Sequence, residues 1–245
     1  MIANYEEVNT AVILAGGAGS RLWPLTKDCP KPMVRLLGKP ILHWIVEWLA
    51  AAGIRRIVLG VAYKKEAIKD YFGNGEQFGV DVKYSNHSVS GETAEGFRLA
   101  IERHVDSEVF LAMNGDELTN LNLRKFIGFH LKHKPLATIA LSHPKCPFGI
   151  VELGQNNKVV GFNEKPELQS VLVSTGIYVF NRKIVEYLPE KGRIEQTAFP
   201  LLASKGLIRG YEMNCHWITV NTVTELMNAE HELKKWRKEE VCLTY

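Results

Sequence analysis

The chain has 245 residues, of which 46% are hydrophobic and 23% charged, and a formal net charge of +3. That composition suits one globular domain with a substantial core, and so small a charge gives no electrostatic case for a nucleic-acid partner. No apolar run reaches the ~18–20 residues of a bilayer span, and MIANYEEVNT lacks the basic start and apolar core of an export signal, so no membrane partner and a cytoplasmic location are expected.

Ala11–Leu14 is a compact apolar run ending in glycines, the mark of a buried strand. After a long loop, Pro40 to Ala52 places Ile41, Leu42, Ile45, Val46 and Leu49 on one face of a helix that Gly53 stops. A strand at Ile57–Val61, a helix near Lys64–Tyr71, a strand near Val80–Tyr84, a helix near Thr93–His104 and a strand at Val109–Met113 follow. This alternation predicts a Rossmann-like three-layer α/β domain with a mostly parallel mixed sheet. From about residue 137 the rhythm changes. Ala137–Ser142, Ile150–Leu153, Val159–Asn163, Val173–Phe180 and Leu207–Met213 are strand-like with short connections, which predicts a small antiparallel addition. A last helix carries Val223, Leu226, Met227, Leu233 and Trp236 on its apolar positions, and Thr222 with Glu225 forms a capping-box signature at its start. One domain over 1–245 is expected, with a first half at about 8–135 and a second at about 136–245.

Cys29, Cys146, Cys215 and Cys242 have no C-x-x-C spacing and read as reduced thiols. His130 and His133 lack the pattern of a metal site. Lys234, Lys235, Arg237 and Lys238, followed by Glu239 and Glu240, read as the solvated face of the terminal helix.

The chemistry concentrates in Leu14-Ala15-Gly16-Gly17-Ala18-Gly19-Ser20-Arg21-Leu22 and in Pro30-Lys31-Pro32. Glycines leaving a strand let backbone N–H groups approach a phosphate chain closely. Arg21 adds a fork of charged donors, and Lys31 sits between two prolines that stiffen its backbone. A glycine cradle with two cations suits a triphosphate. The dinucleotide pattern G-x-G-x-x-G fails at Leu22, and Gly38-Lys39-Pro40 lacks the hydroxyl residue of a P-loop.

Together with Pro24-Leu25-Thr26 and Met33, this stretch resembles the sugar-1-phosphate nucleotidylyltransferase family, whose members open with a strand running into L-A-G-G-x-G-x-R-L-x-P-L-T and then P-K-P-M. The resemblance extends over nearly the whole chain. It implies that Leu14, Ala15, Gly16, Gly17, Gly19, Ser20, Thr93 and Gly115 bind the nucleotide, and that Arg21, Lys31 and Lys165 supply catalytic charge. It further implies that Asp116 of Asn114-Gly115-Asp116 holds Mg2+. Phe148-Gly149-Ile150-Val151, Glu164-Lys165-Pro166, Thr175-Gly176-Ile177-Tyr178 and Ile194-Glu195 match the family's sugar-phosphate segments, which assigns Gly149, Glu164, Lys165, Thr175, Gly176 and Glu195 to that substrate. The partners so implied are a nucleoside triphosphate and a sugar 1-phosphate, with a homo-oligomer possible.

Two segments depart from the family pattern. Trp217-Ile218-Thr219-Val220-Asn221 has threonine where the family's second metal-binding aspartate stands, which leaves Asn221 as the substitute ligand. Gly91-Glu92-Thr93-Ala94 replaces the usual L-G-T-A/G, and His87 stands where a glutamate is common. The base therefore stays open among uracil, guanine, cytosine and adenine, as does the sugar. Two other readings stand beside an active enzyme: a catalytically silent nucleotide-sugar sensor, and a cytidylyltransferase acting on a non-sugar phosphate.

Overall fold

The computed structural model describes residues 7–243, with side chains described as far as Trp236. The N-terminal stretch 1–6, the side chains of Arg237, Lys238, Glu239 and Glu240, and Cys242 lie outside the described residues. In chain order the strands are β1 (Thr10–Leu14), β2 (Arg35–Leu36), β3 (Lys39–Pro40), β4 (Arg56–Val61), β5 (Asp81–Asn86), β6 (Val109–Asn114), β7 (Glu117–Thr119), β8 (Ala137–Ser142), β9 (Ile150–Leu153), β10 (Val159–Asn163), β11 (Val173–Asn181), β12 (Ile208–Glu212) and β13 (Trp217–Thr219). The helices are α1 (Ile41–Ala51), α2 (Lys65–Phe72), α3 (Glu92–His104), α4 (Leu123–His133), α5 (Ala198–Ser204) and α6 (Val223–Leu243).

Seven strands form the main sheet in the order β12-β8-β11-β6-β1-β4-β5. β1 pairs parallel with β4 and β6, and β4 pairs parallel with β5. β11 pairs antiparallel with both β6 and β8, and β12 pairs parallel with β8. β11 is thus the one reversed strand of this sheet. The expectation of antiparallel pairing holds for β8, for β11 and for the β9–β10 hairpin. It fails for β12. Strand periodicity reports burial and not direction, and α5 carries the chain past β8 to its far edge, where β12 runs with it.

Helices cover both faces. Ile13, Ile57, Leu59 and Leu111 pack against apolar residues of α1, α2, α4 and α6. Val12, Val58, Phe110, Tyr178 and Phe180 pack against α3 and α5. β1 reads as an unbroken apolar run because it is buried on both sides. In the second core the Tyr178 and Phe180 rings stack at 5.2 Å, and Phe97 meets Phe180 edge-on at 5.6 Å. Truncating so fully buried an aromatic costs about 3–5 kcal/mol. α4 is a helix that the chain-order reading above does not contain. Asn122 caps it by accepting the Lys125 N–H at 3.0 Å, and Leu123, Phe126, Ile127 and His130 form its buried stripe. His130 is a core residue: its Nδ1 lies 2.9 Å from Thr138 Oγ1, and burial lowers its pKa to about 4.

From β1 the chain winds outward to β4 and β5, then returns through α3 to β6 on the other side of β1. This reversal opens a crevice at the carboxyl ends of β1 and β6, where sheets of this kind bind ligands.

Candidate active site

The glycine turn leaves β1 at that crevice. Gly16 has no room for a side chain, since a Cβ there would stand 2.6 Å from His87 Nε2 and 2.9 Å from Ala62 Cβ. Gly19 adopts φ +64, and its carbonyl accepts from Thr26 Oγ1 at 2.9 Å. Gly17 faces open space, and its carbonyl accepts the Lys31 N–H at 3.1 Å. A 3-10 turn over Ser20–Leu22 then presents Arg21, and a second one over Lys31–Met33 presents Lys31. Ala15 is buried, and the N–H of Gly115 bonds to Leu14 O at 2.8 Å, so the ends of β1 and β6 are joined directly.

Four polar side chains converge there. Lys31 Nζ contacts the Asp116 carboxylate and donates to Asn221 Oδ1 at 2.7 Å. Arg21 Nη2 donates to the same oxygen at 3.0 Å. Asn221 donates its own NH2 to Thr219 Oγ1 at 2.9 Å, which turns its carbonyl oxygen toward the cations. Glu225 fixes the Asn221 backbone, accepting the N–H of Asn221 at 2.6 Å and of Thr222 at 3.1 Å, while Thr222 Oγ1 accepts the Glu225 N–H at 3.2 Å.

Thr219 faces inward instead, donating to Glu117 Oε1 at 3.4 Å, and Trp217 Nε1 donates to Glu117 Oε2 at 2.8 Å. β7 and β13 pair Thr219 with Glu117 and so build this contact. Burial, and then the neighbouring Asp116 carboxylate, push the Glu117 carboxyl up to about 8. Nothing in the chain's periodicity signals this glutamate, because its burial depends on a strand pair 100 residues apart.

The crevice opens into a cleft of about 440 Å³. Gly16, Gly17, Arg21, Lys31, Asp116 and Asn221 line it together with His87, Val89, Glu92, Thr93 and Arg193, and the His87 ring lies against Gly16. Glu92 and Thr93 meet the remote segment 192–195: Arg193 Nε donates to Glu92 Oε1 at 2.9 Å, the Ile194 N–H donates to Thr93 Oγ1 at 2.9 Å, and Thr93 Oγ1 donates to Glu195 Oε2 at 3.3 Å. Arg193 carries no motif in the sequence and is found only through this fold.

The remaining expected residues are more dispersed. Gly149, Glu164 and Lys165 lie on or beside the β9–β10 hairpin, outside the lining of the cleft, and Lys165 Nζ stands 3.6 Å from Glu164 Oε1. A Cβ on Gly149 would stand 2.5 Å from the Phe162 ring. Thr175 is buried with its hydroxyl donated to Ala140 O at 2.8 Å, a bond internal to the sheet. Gly176 adopts φ +75 against Asn114, whose Nδ2 would lie 2.7 Å from an added Cβ. Ser20 is exposed on the turn that carries Arg21.

Cys29, Cys146 and Cys215 are free thiols. Among the described residues no helix is long and apolar enough to cross a membrane.

A family described as nucleotidyl transferase matches residues 10–235 of the chain. The UTP–glucose-1-phosphate uridylyltransferase of Synechocystis sp. is 30% identical over 239 residues, a stretch that is 89% of this chain and 62% of that protein. The mannose-1-phosphate guanylyltransferase of Mycobacterium tuberculosis is 31% identical over 231 residues, 91% of this chain and 64% of its own length. The chain thus spans somewhat under two thirds of these relatives. Among solved structures, HddC from Yersinia pseudotuberculosis complexed with GMP-PN superimposes with a TM-score of 0.73 at 26% identity, covering 92% of this chain and 100% of that one.

Proposed function

This chain belongs to the nucleotidyl transferase family, and on that premise we propose that it transfers a nucleoside monophosphate from a nucleoside triphosphate to a sugar 1-phosphate, releasing pyrophosphate. The convergence of Arg21, Lys31, Asp116 and Asn221 beside the glycine turn carries this reading. The relatives named above support the substrate classes. Residues of about 8–135 serve the nucleotide and those of about 136–245 the sugar phosphate.

The donor set fits a magnesium ion. The Asp116 carboxylate and the Asn221 amide oxygen face one point, now met by the Lys31 ammonium. Two hard protein oxygens, with phosphate oxygens and water for the rest, are the usual ligands of Mg2+. When bound, the ion neutralises charge on the phosphates of the nucleotide.

The chain's own groups do the remaining work. Backbone N–H groups of the glycine turn cradle the phosphate chain, and Arg21 and Lys31 steady the charge that develops on it. Glu164 and Glu195 accept sugar hydroxyls, and Lys165 neutralises the sugar phosphate. An oxygen of that phosphate attacks the α-phosphorus in line as the bond to the bridging oxygen of the β-phosphate breaks, and pyrophosphate carries off the charge. The attacking oxygen is already ionised at neutral pH, so the chain needs no general base, and catalysis is positioning with charge stabilisation. Thr219 is the residue that favours a silent sensor; against that reading, its hydroxyl is occupied with Glu117 and Asn221 Nδ2, while Asn221 Oδ1 meets the same Lys31 ammonium as Asp116.

The test is pyrophosphate release with Mg2+ and a matrix of nucleoside triphosphates against sugar 1-phosphates. One pairing well above the rest is expected. Silence throughout, with nucleotide sugars still binding by calorimetry, overturns the enzyme in favour of the sensor.

A further inference from the structure

One cation of this chain already engages both oxygens assigned above to the metal. The Lys31 ammonium contacts Asp116 Oδ2 and donates to Asn221 Oδ1 at 2.7 Å. Arg21 Nη2 donates to the same amide oxygen at 3.0 Å, which uses the second of its two lone pairs. Asn221 can therefore offer its oxygen to an ion only after these donors let go. An ammonium carries three N–H groups, and the third has no partner among the described residues although Lys31 lines the cleft.

The backbone of Lys31 is pinned while its ammonium is not. Its N–H donates to Gly17 O at 3.1 Å, its carbonyl accepts the Val34 N–H at 3.1 Å, and Pro30 and Pro32 stand on either side. Gly19 packs so closely on the stem that an added Cβ would lie 2.7 Å from Lys31 Cβ. Only the outer stem and its charge are left to shift, and the glycine turn lies directly against that stem. Charge sets the direction of the shift. Among the four converging side chains Arg21 and Lys31 are cations and Asp116 is the anion, so a divalent ion arriving alone adds to a positive excess. A triphosphate of about four negative charges reverses that balance and gives the ammonium stronger acceptors. It also brings the further oxygens that a magnesium ion takes from phosphate.

We infer that Lys31 is an internal stand-in for the metal: its ammonium holds Asp116 and Asn221 until a triphosphate draws it away, so the protein takes up a divalent cation only together with nucleotide. This rests on the reading of the chain as a nucleotidyltransferase with Asp116 and Asn221 as the donors to the metal. The shift belongs to binding and is complete before charge develops in the reaction. The same lysine thus serves in turn as counter-charge to the protein's carboxylate and to the phosphates. Metal and nucleotide then strengthen each other's binding by one common factor.

The test is titration of the full chain with Mn2+ in the absence of nucleotide, the unbound ion read by electron paramagnetic resonance, for wild type and Lys31→Met. Methionine keeps the stem and removes the charge; Lys31→Gln gives the same comparison where the methionine variant does not fold. Lys31→Met is expected to bind Mn2+ about tenfold or more tightly than wild type. Asp116→Asn added to that variant is expected to abolish the gain, and Lys31→Arg to behave as wild type. Mg2+ alone is expected to raise the melting temperature of Lys31→Met and not that of wild type. Equal Mn2+ binding by wild type and Lys31→Met overturns the inference. So does a gain that survives Asp116→Asn, because the ion then sits elsewhere. Either result leaves the enzyme reading standing where wild type still releases pyrophosphate with Mg2+. Absence of Mn2+ binding in every variant, together with absence of pyrophosphate release, refutes the enzyme reading and this inference with it.

Discussion

The molecule contains two lysine–carboxylate pairs in its proposed site, and they are built in opposite ways. In Lys31–Asp116 the side chains are 13% and 19% exposed, the lysine sits between prolines, and Asn221 holds it from a second side. In Lys165–Glu164 the same two chemistries are 63% and 62% exposed at the end of a hairpin. An ion pair so open to solvent contributes about 0–1 kcal/mol, because water screens it and two flexible side chains must be held still. A shielded, oriented pair acts at full strength without reorganising when charge develops. One pair is therefore ordered by the fold, and the other is left open to solvent.

If that contrast is right, Asp116→Ala gives the largest loss, about 10²–10³-fold in kcat/KM for pyrophosphate release with the fold intact by circular dichroism. Lys165→Ala costs less, about 10–10²-fold, expressed chiefly in KM for the sugar phosphate. Equal losses in the two variants would break the comparison, since they would mean that the hairpin closes and buries its pair during turnover. Asn221→Asp sharpens it: a second carboxylate beside Asp116 lowers the magnesium concentration for half-maximal rate by about tenfold. No change in that concentration removes Asn221 from the ligand set.

The smallest effect concerns how the hairpin region is fastened to the sheet. His143 Nδ1 faces the carbonyls of Leu168 at 3.2 Å and Val171 at 3.0 Å, and Nε2 faces Glu212 Oε1 at 3.1 Å. All three partners only accept, so the ring satisfies both nitrogens only as the imidazolium. The Glu212 hydrogen bond, with the two carbonyls, raises its pKa. A raised folded pKa means that the stabilisation is fully present below the unfolded value, about 6.5, and is lost as pH rises through the folded value. The melting-temperature gap between wild type and His143→Ala is thus expected at low pH and closes at high pH. His130, buried and lowered to about 4, is common to both proteins and cancels in the difference. A gap independent of pH would show that the ring packs rather than pairs.

Much of the phosphate end is legible in the sequence because it is local. Gly16, Gly19, Arg21 and Lys31 sit within sixteen positions of one another, and the cap joining Thr222 and Glu225 spans three. Strand β1 and helix α1 announce themselves by burial on two faces and on one. What stays hidden is made by pairing at a distance. Glu117 becomes buried only when β7 meets β13, and Arg193 reaches the cleft only because segment 192–195 lies against the start of α3. The direction of β12 depends on which strand it lies beside, and apolar alternation is the same either way. Helix α4 is a different case: the stripe Leu123, Phe126, Ile127, His130 has helical spacing behind an asparagine cap, and the interruption of the apolar face by a histidine obscures it.

The hydrogen bond from Arg21 to Asn221 spans 200 positions of the chain. During synthesis the glycine turn leaves the ribosome 200 residues ahead of the amide that completes the cation cluster. Through that interval a nascent chain carries Arg21 and Lys31 without the oxygen that orients them. Contacts of such sequence separation also form late in folding, since the loop they close must first lose its freedom. Assembly of the site is thus a report that the stretch from Arg21 to Asn221 has been made and folded.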